Sequence, residues 1–214
     1  MSKTHTIITI GRQFGSGGRE IGKRLADELG IEFYDKELLS RAAKDSKICK
    51  ELFFETHDEK PTNSFLYSLV MDTYSMGFAS GSVNEMPLNH KIFLAQFDAI
   101  KKIAEEGPCV LVGRCADYAL EERDDVLSVF IHADLEDRIK NVAKLNELTD
   151  NKAKDLIHKT DKRRASYYNY YTNKNKKWGD AESYDICINS SKFGVDGCVK
   201  AIKDFLELEA SLEE

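Results

Sequence analysis

Residues 7 to 29 leave this chain little choice of fold. Ile7-Ile-Thr-Ile10 is a short apolar, β-branched run with the composition of a buried strand. Arg19-Glu-Ile-Gly-Lys-Arg-Leu-Ala-Asp-Glu-Leu29 puts Ile21, Leu25 and Leu29 at helical spacing, so a helix begins near Arg19. Between them, Gly11-Arg-Gln-Phe-Gly-Ser-Gly-Gly18 carries four glycines in eight residues. A strand, a glycine loop and a helix start, in that order, form an anion cradle. Unpaired N–H groups meet the positive end of the helix dipole there, and glycine lets a ligand come close to the main chain. The alternative is an ordinary glycine-rich turn with no ligand. The loop's place directly after the first strand favours the phosphate reading.

The loop departs from the pattern G-x-x-x-x-G-K-[ST]. Five residues before Gly17 stands Arg12, where the pattern has glycine. The lysine position falls on Gly18, and Arg19 is the nearest cation along the chain. The hydroxyl that would hold magnesium is replaced by Arg19 or Glu20, depending on register.

The 214 residues fit one α/β domain with a sizeable core. No run approaches the roughly 18 apolar residues of a membrane span. Met1-Ser-Lys-Thr-His leads straight into the first strand without a signal-peptide pattern, so the expectation is a cytoplasmic protein with no membrane role. Five cysteines, Cys49, Cys109, Cys115, Cys187 and Cys198, form no C-x-x-C pair. Cys109 and Cys187 lie in apolar runs, which points to buried thiols rather than disulfides or zinc. A net charge of −6 argues against a general nucleic-acid binder.

Further strands are expected at 31–34, 109–112, 126–131 and 184–188. Helices are expected at 36–50, 89–106, 134–145, 150–171 and 195–208, with a helical hairpin and a Ser/Gly/Asn loop between 51 and 88. Gly30 reads as the C′ residue of the first helix and Asp134 as an N-cap, with Asp137 at the capping-box position. Strands alternating with helices make a parallel sheet covered on both faces.

Ile10-Gly-Arg-Gln-Phe-Gly-Ser-Gly-Gly-Arg-Glu-Ile21, Phe33-Tyr-Asp-Lys-Glu-Leu-Leu39, Val112-Gly-Arg114 and Trp178-Gly179 before Tyr184-Asp185 together resemble the cytidylate kinase-like family, a branch of the P-loop nucleoside-monophosphate kinases. The resemblance covers nearly the whole chain. It implies a three-layer P-loop kinase fold, with a five-stranded parallel sheet in the order 2-3-1-4-5 flanked by helices. A helical acceptor-side insertion at about 36–106 and a basic helical lid at about 149–180 would belong to the same single domain, 1–214. Resemblance to bacterial CMP kinase itself is more distant. Asp35 and Arg41 keep that enzyme's spacing after the second strand, with Lys36-Glu37 in place of Ser-Gly. Val112-Gly-Arg-Cys115 keeps the arginine, Arg114, but loses both carboxylates of its Asp-Gly-Arg-Asp.

The implied activity is transfer of the γ-phosphate of ATP, with Mg2+, to a nucleoside monophosphate of the CMP type or a similar small acceptor. Gly15, Ser16, Gly17, Gly18, Arg19 and Glu20 would hold the donor phosphates. Asp35, Arg41 and Arg114 would face the acceptor, with Asp35 either a magnesium ligand or simply the next helix's N-cap. Arg19, Arg163 and Arg164 would act on the transferring group. Arginine suits that task because its planar fork binds oxygens bidentately and never loses its charge. The cations from Lys159 to Lys177 could instead be a solvated face, and tyrosines 167, 168, 170 and 171 among them could stack single-stranded nucleic acid, a reading the acidic balance disfavours. Arg138 could reach the lid or lie on the surface, with the surface favoured; Cys115 reads as packing, and the five histidines show no ligand spacing. The competing function is a nucleotide- or phosphometabolite-binding protein that has lost turnover. The missing lysine, the missing Ser/Thr and Val112 in place of a carboxylate favour it, since function lives in the site and not in the fold.

Overall fold

The β-branched run becomes strand β1, Ile7–Arg12, at the centre of the sheet of the computed structural model, which describes residues 7–35, 88–172 and 176–212. Around it stand β2 (Glu32–Tyr34), β3 (Cys109–Val112), β4 (Val126–His132) and β5 (Ile186–Asn189), all parallel, in the order β2-β3-β1-β4-β5. The order implied by the family resemblance is the one observed. β1 runs two residues past its apolar stretch because Gly11 and Arg12 stay in register with Phe130 and Ile131 of β4. β5 begins later than its apolar pattern does. The Asp185 carboxylate takes hydrogen bonds from the Ser128 amide (2.8 Å) and hydroxyl (2.6 Å), and this anchors the chain just ahead of the strand.

Six helices of the described residues surround the sheet: α1 (Gly18–Leu29), α2 (Leu88–Glu106), α3 (Ala116–Ala119), α4 (Leu135–Asn146), α5 (Asp150–Tyr171) and α6 (Ser190–Leu212). Alternation along β1 sends Ile8 and Ile10 to one face, where they pack with Ile21 and Leu25 of α1 and Cys198, Val199 and Ile202 of α6. Ile7 goes to the other face, with Ile100 and Ile103 of α2 and Leu111 of β3. Near-continuous apolar strands are what a sheet covered on both sides requires. Burying a side chain such as Leu25 contributes about 1.5–3 kcal/mol.

Gly30 ends α1 in the left-handed conformation (φ 68°), its N–H donating to the Ala26 carbonyl. Asp134 precedes α4 with extended torsions, but its side chain does not cap the helix. Its carboxylate accepts from Asn189 Nδ2 instead (3.1 Å). α6 starts five residues earlier than its apolar period, because Ser190–Phe193 form a turn of helix that Gly194 (φ 65°, ψ −177°) redirects into the rest. Cys109 and Cys198 are buried, whereas Cys187, on the edge strand β5, is exposed. Cys49, the expected helix at 36–50 and the expected hairpin at 51–88 lie outside the described residues, apart from residue 88, where α2 begins. No helix among the described residues is long and apolar enough to cross a membrane.

Candidate active site

The loop from Arg12 to Gly17 is held from outside by three helices. Five successive carbonyls each accept a hydrogen bond: Arg12 O from Arg164 Nη1 (3.2 Å), Gln13 O from Ser16 Oγ (2.9 Å), Phe14 O from Arg138 Nη1 (3.4 Å), Gly15 O from Asn141 Nδ2 (3.1 Å) and Ser16 O from Ser190 Oγ (2.7 Å). The carbonyls that would repel an anion are thus engaged, four by the surrounding helices and one by the loop's own Ser16. Meanwhile α1 begins at Gly18 with no side-chain cap, so its first-turn N–H groups lack both an intrahelical partner and a capping oxygen. Gly15 (φ 81°) and Gly17 (φ 76°) give the loop its left-handed corners. The result is a donor-rich pocket at the positive end of a helix.

Ser16 is buried and its hydroxyl is spent on the loop itself. Glu20 is exposed in the first turn of α1. Arg19 does not fold back over the loop. Its Nε lies 2.6 Å from Asp35 Oδ2, and its guanidinium sits 5.7 Å from the Phe33 ring centroid. Asp35, just after β2, also faces Arg12 Nη2 at 3.9 Å, so two guanidiniums share one carboxylate. Among the described residues no group of three His, Cys, Asp or Glu could hold a metal ion. Arg41 lies outside the described residues.

Arg12 is nearer in space to Gly18 than Arg19's place in the sequence suggests. A Cβ on Gly18 would stand 2.6 Å from Arg12 Cβ and 3.1 Å from its Cγ. The Arg12 side chain then continues to the end of β3, where a side chain on Gly113 would overlap its guanidinium.

The turn after β3 is strained. Gly113 (φ 79°), Arg114 (φ 61°) and Cys115 (φ 54°) are all left-handed, a conformation that costs a non-glycine residue about 1–3 kcal/mol. It lies at the carboxyl ends of the strands, where open α/β sheets bind ligands. The turn is fixed from its C-terminal side, by α3. Asp117 of that helix is buried, accepts a hydrogen bond from the Tyr168 hydroxyl of α5, and faces Lys176 Nζ at 3.9 Å. Burial raises its carboxyl above the usual aspartate range, although the Tyr168 hydrogen bond and Lys176 act the other way. Cys115 packs among Phe93, Phe130, Tyr168, Tyr171 and Tyr184, and burial pushes its thiol up. The tyrosines of α5 are therefore structural in this arrangement: Phe93 and Tyr171 stack at 3.7 Å, and Phe130 meets Trp178 edge-on.

The basic helix α5 touches the loop directly. Arg164 reaches Arg12 O and lies 5.4 Å from the Phe14 ring centroid, while Asp161 Oδ1 accepts from the Phe14 amide (2.8 Å). Arg163 is half-buried beside it. Of the two alternatives for Arg138, the less favoured one is observed: it reaches the basic helix rather than lying on the surface. It is buried, and its Nη1 lies 2.5 Å from Asp161 Oδ2. Asn141 and Asp161 are the residues that sequence reasoning missed, and the weight it gave to Arg138 was too low. Each lies on a helix face whose polar partners come from a distant stretch, and only the spacing of Arg138 and Asn141, three apart on α4, signalled a shared face.

Residues 7–192 match the model of the cytidylate kinase-like family. A cytidylate kinase from Pyrococcus horikoshii is 24% identical over 212 residues, covering 97% of this chain and 93% of that protein. A solved structure of an uncharacterised protein from Eubacterium ventriosum is 31% identical with a TM-score of 0.69, covering 94% of this chain and 98% of that one. A gluconokinase from Sinorhizobium meliloti shares the fold at 13% identity, with a TM-score of 0.53 and 99% of both chains covered.

Proposed function

The chain belongs to the cytidylate kinase-like family, and from that membership we propose that it transfers the γ-phosphate of ATP to a nucleoside monophosphate of the CMP type or a similar small acceptor. One observation carries the donor half of this reading: an uncapped helix start beneath a loop with five successive carbonyls occupied, four by the surrounding helices and one by the loop's own Ser16. The backbone from Gly15 to Glu20 binds the donor phosphates. Arg19 lies at the rim of this cradle and would have to leave Asp35 to reach a γ-phosphate. Arg114, with Arg41, takes the acceptor's phosphate at the end of β3. Arg163 and Arg164 bring α5's charge to the transferring group.

Phosphoryl transfer asks for positioning and charge neutralisation rather than covalent help, and a site rich in guanidiniums supplies both. Magnesium, when bound, would neutralise the phosphate oxygens. Asp35 is the carboxylate proposed for it, but two arginines already share that group, so the phosphates and water would supply most of the ion's ligands, as Mg2+ commonly arranges. The protein is proposed to work as a cytoplasmic enzyme on small molecules, with no nucleic-acid or membrane partner.

The occupied Asp35 and the exposed Arg19 and Glu20 at the two candidate hydroxyl positions favour a second reading, a binder without turnover. The two are separated by measuring ADP release from ATP with a panel of nucleoside monophosphates and small hydroxyl acceptors. Acceptor-dependent ADP release supports the kinase. A ligand-induced rise in melting temperature without ADP release supports the binder.

A further inference from the structure

We propose that Arg12 supplies the phosphate-binding cation that the loop lacks at position 18, entering from the strand side of the loop instead of the helix side. The inference rests on the donor-cradle reading and assigns the charge within it. Two departures from the G-x-x-x-x-G-K pattern turn out to be one exchange: arginine stands where the first glycine belongs, and glycine stands where the lysine belongs. In the structure the two positions touch. A side chain at Gly18 would begin 2.6 Å from Arg12 Cβ and 3.1 Å from Cγ, so the arginine stem fills the path a lysine would take. Gly18 does not have a positive φ, so its lack of a side chain answers to space and not to torsion.

The guanidinium ends where a donor's terminal phosphate can be met. It lies over Gly113 at the carboxyl end of β3 and 3.9 Å from Asp35 after β2. A phosphate oxygen would meet the same guanidinium through charge-assisted hydrogen bonds, which are shorter than that 3.9 Å ion pair. Arg19 holds the other carboxylate oxygen at 2.6 Å and keeps Asp35 in place if Arg12 turns away. Arg12's own carbonyl is fixed by Arg164, which sets where the stem begins.

Calorimetric titration of Mg·ATP and Mg·ADP into the wild type, Arg12→Gln, Arg12→Gly and the double variant Arg12→Gly/Gly18→Lys tests the proposal. Arg12→Gln keeps most of the stem and loses the charge. It is expected to weaken ATP binding by about ten- to a hundredfold, the loss of one charge-assisted contact, and ADP binding by clearly less. The double variant, which moves the cation to the helix side, is expected to recover most of the ATP affinity that Arg12→Gly loses. Folding of each variant is read from its unfolding transition without ligand. Arg12→Gln binding ATP as the wild type does, equal losses for ATP and ADP, or a folded double variant no better than Arg12→Gly would overturn the proposal and leave the donor cradle standing. A wild type that binds neither nucleotide would overturn both.

Discussion

Gly15 and Gly17 have nearly the same φ, 81° and 76°, and opposite surroundings. A Cβ on Gly15 would meet Val142 Cγ2 at 2.8 Å and the Arg138 carbonyl at 3.0 Å, whereas one on Gly17 would find, among the described residues, only Val195 Cγ2 at 3.9 Å. Gly15→Ala therefore combines left-handed strain with overpacking and should cost about 2–5 kcal/mol in urea unfolding. Gly17→Ala bears the torsional part alone, about 1–2 kcal/mol, yet should weaken ATP binding, because leaving that torsion turns the first N–H groups of α1 away from the pocket. Asp117 makes a prediction in pH. Burial raises its folded-state value above the ordinary 3.8, so the folded state takes up the proton more readily than the unfolded chain. Its contribution is fully favourable below 3.8 and is lost as pH rises through the raised value. Asp117→Asn, which can still accept from Tyr168, should thus gain stability relative to the wild type as pH increases from 4 toward 7. Melting curves at several pH values check this; a difference independent of pH would contradict it.

At the scale of elements, α4 and α5 act as one brace. Their apolar contact centres on Val142, Ala153 and Ile157, with Phe14, Ile139 and Leu156 packed against them, and the polar contact pairs buried Arg138 with half-buried Asp161. Asp161 also holds the Phe14 amide, so one carboxylate ties the helix pair to the loop. Asp161→Ala should destabilise the protein by about 3 kcal/mol, since it strands a buried guanidinium, while Arg138→Met/Asp161→Leu should cost far less. Denaturant unfolding of both variants decides the matter. Little of this brace is visible in the sequence beyond a possible reach of Arg138 to the basic helix, because Arg138 and Asp161 are 23 residues apart and neither stands in an apolar pattern. The strands were legible for the opposite reason. Ile7–Ile10, Cys109–Val112 and Val126–Ile131 are buried on both faces and so read as continuous apolar runs. The short α3 was not legible. It is four residues long and is set by the left-handed turn at Arg114 and Cys115, which no local propensity favours.

For the whole molecule the question is whether a frame this well braced turns substrate over. The loop and its order in the chain could be read from glycine spacing, but the partners of the charges could not: Arg19, expected over the phosphates, is on Asp35, and Arg164, expected over the transferring group, is on a loop carbonyl. These placements sharpen the test of function. An arginine that only braces the loop affects ground-state binding and turnover alike, whereas one that meets developing charge affects turnover more. If the chain is a kinase, Arg163→Ala should lower turnover by about a hundredfold or more with a smaller change in ATP affinity, toward the roughly 10³ to 10⁵ that such arginines reach elsewhere. Arg164→Ala should lower both together, because it releases Arg12 O and loosens the cradle. Arg114→Ala should raise the acceptor's KM and leave ATP binding intact, since Arg114 stands beyond β3 and not on the loop. Steady-state kinetics with the best acceptor of the panel, alongside direct ATP titration, separates the three. Losses confined to affinity in all three variants, with no acceptor phosphorylated above background in magnesium or manganese, would make the protein a binder on a kinase frame.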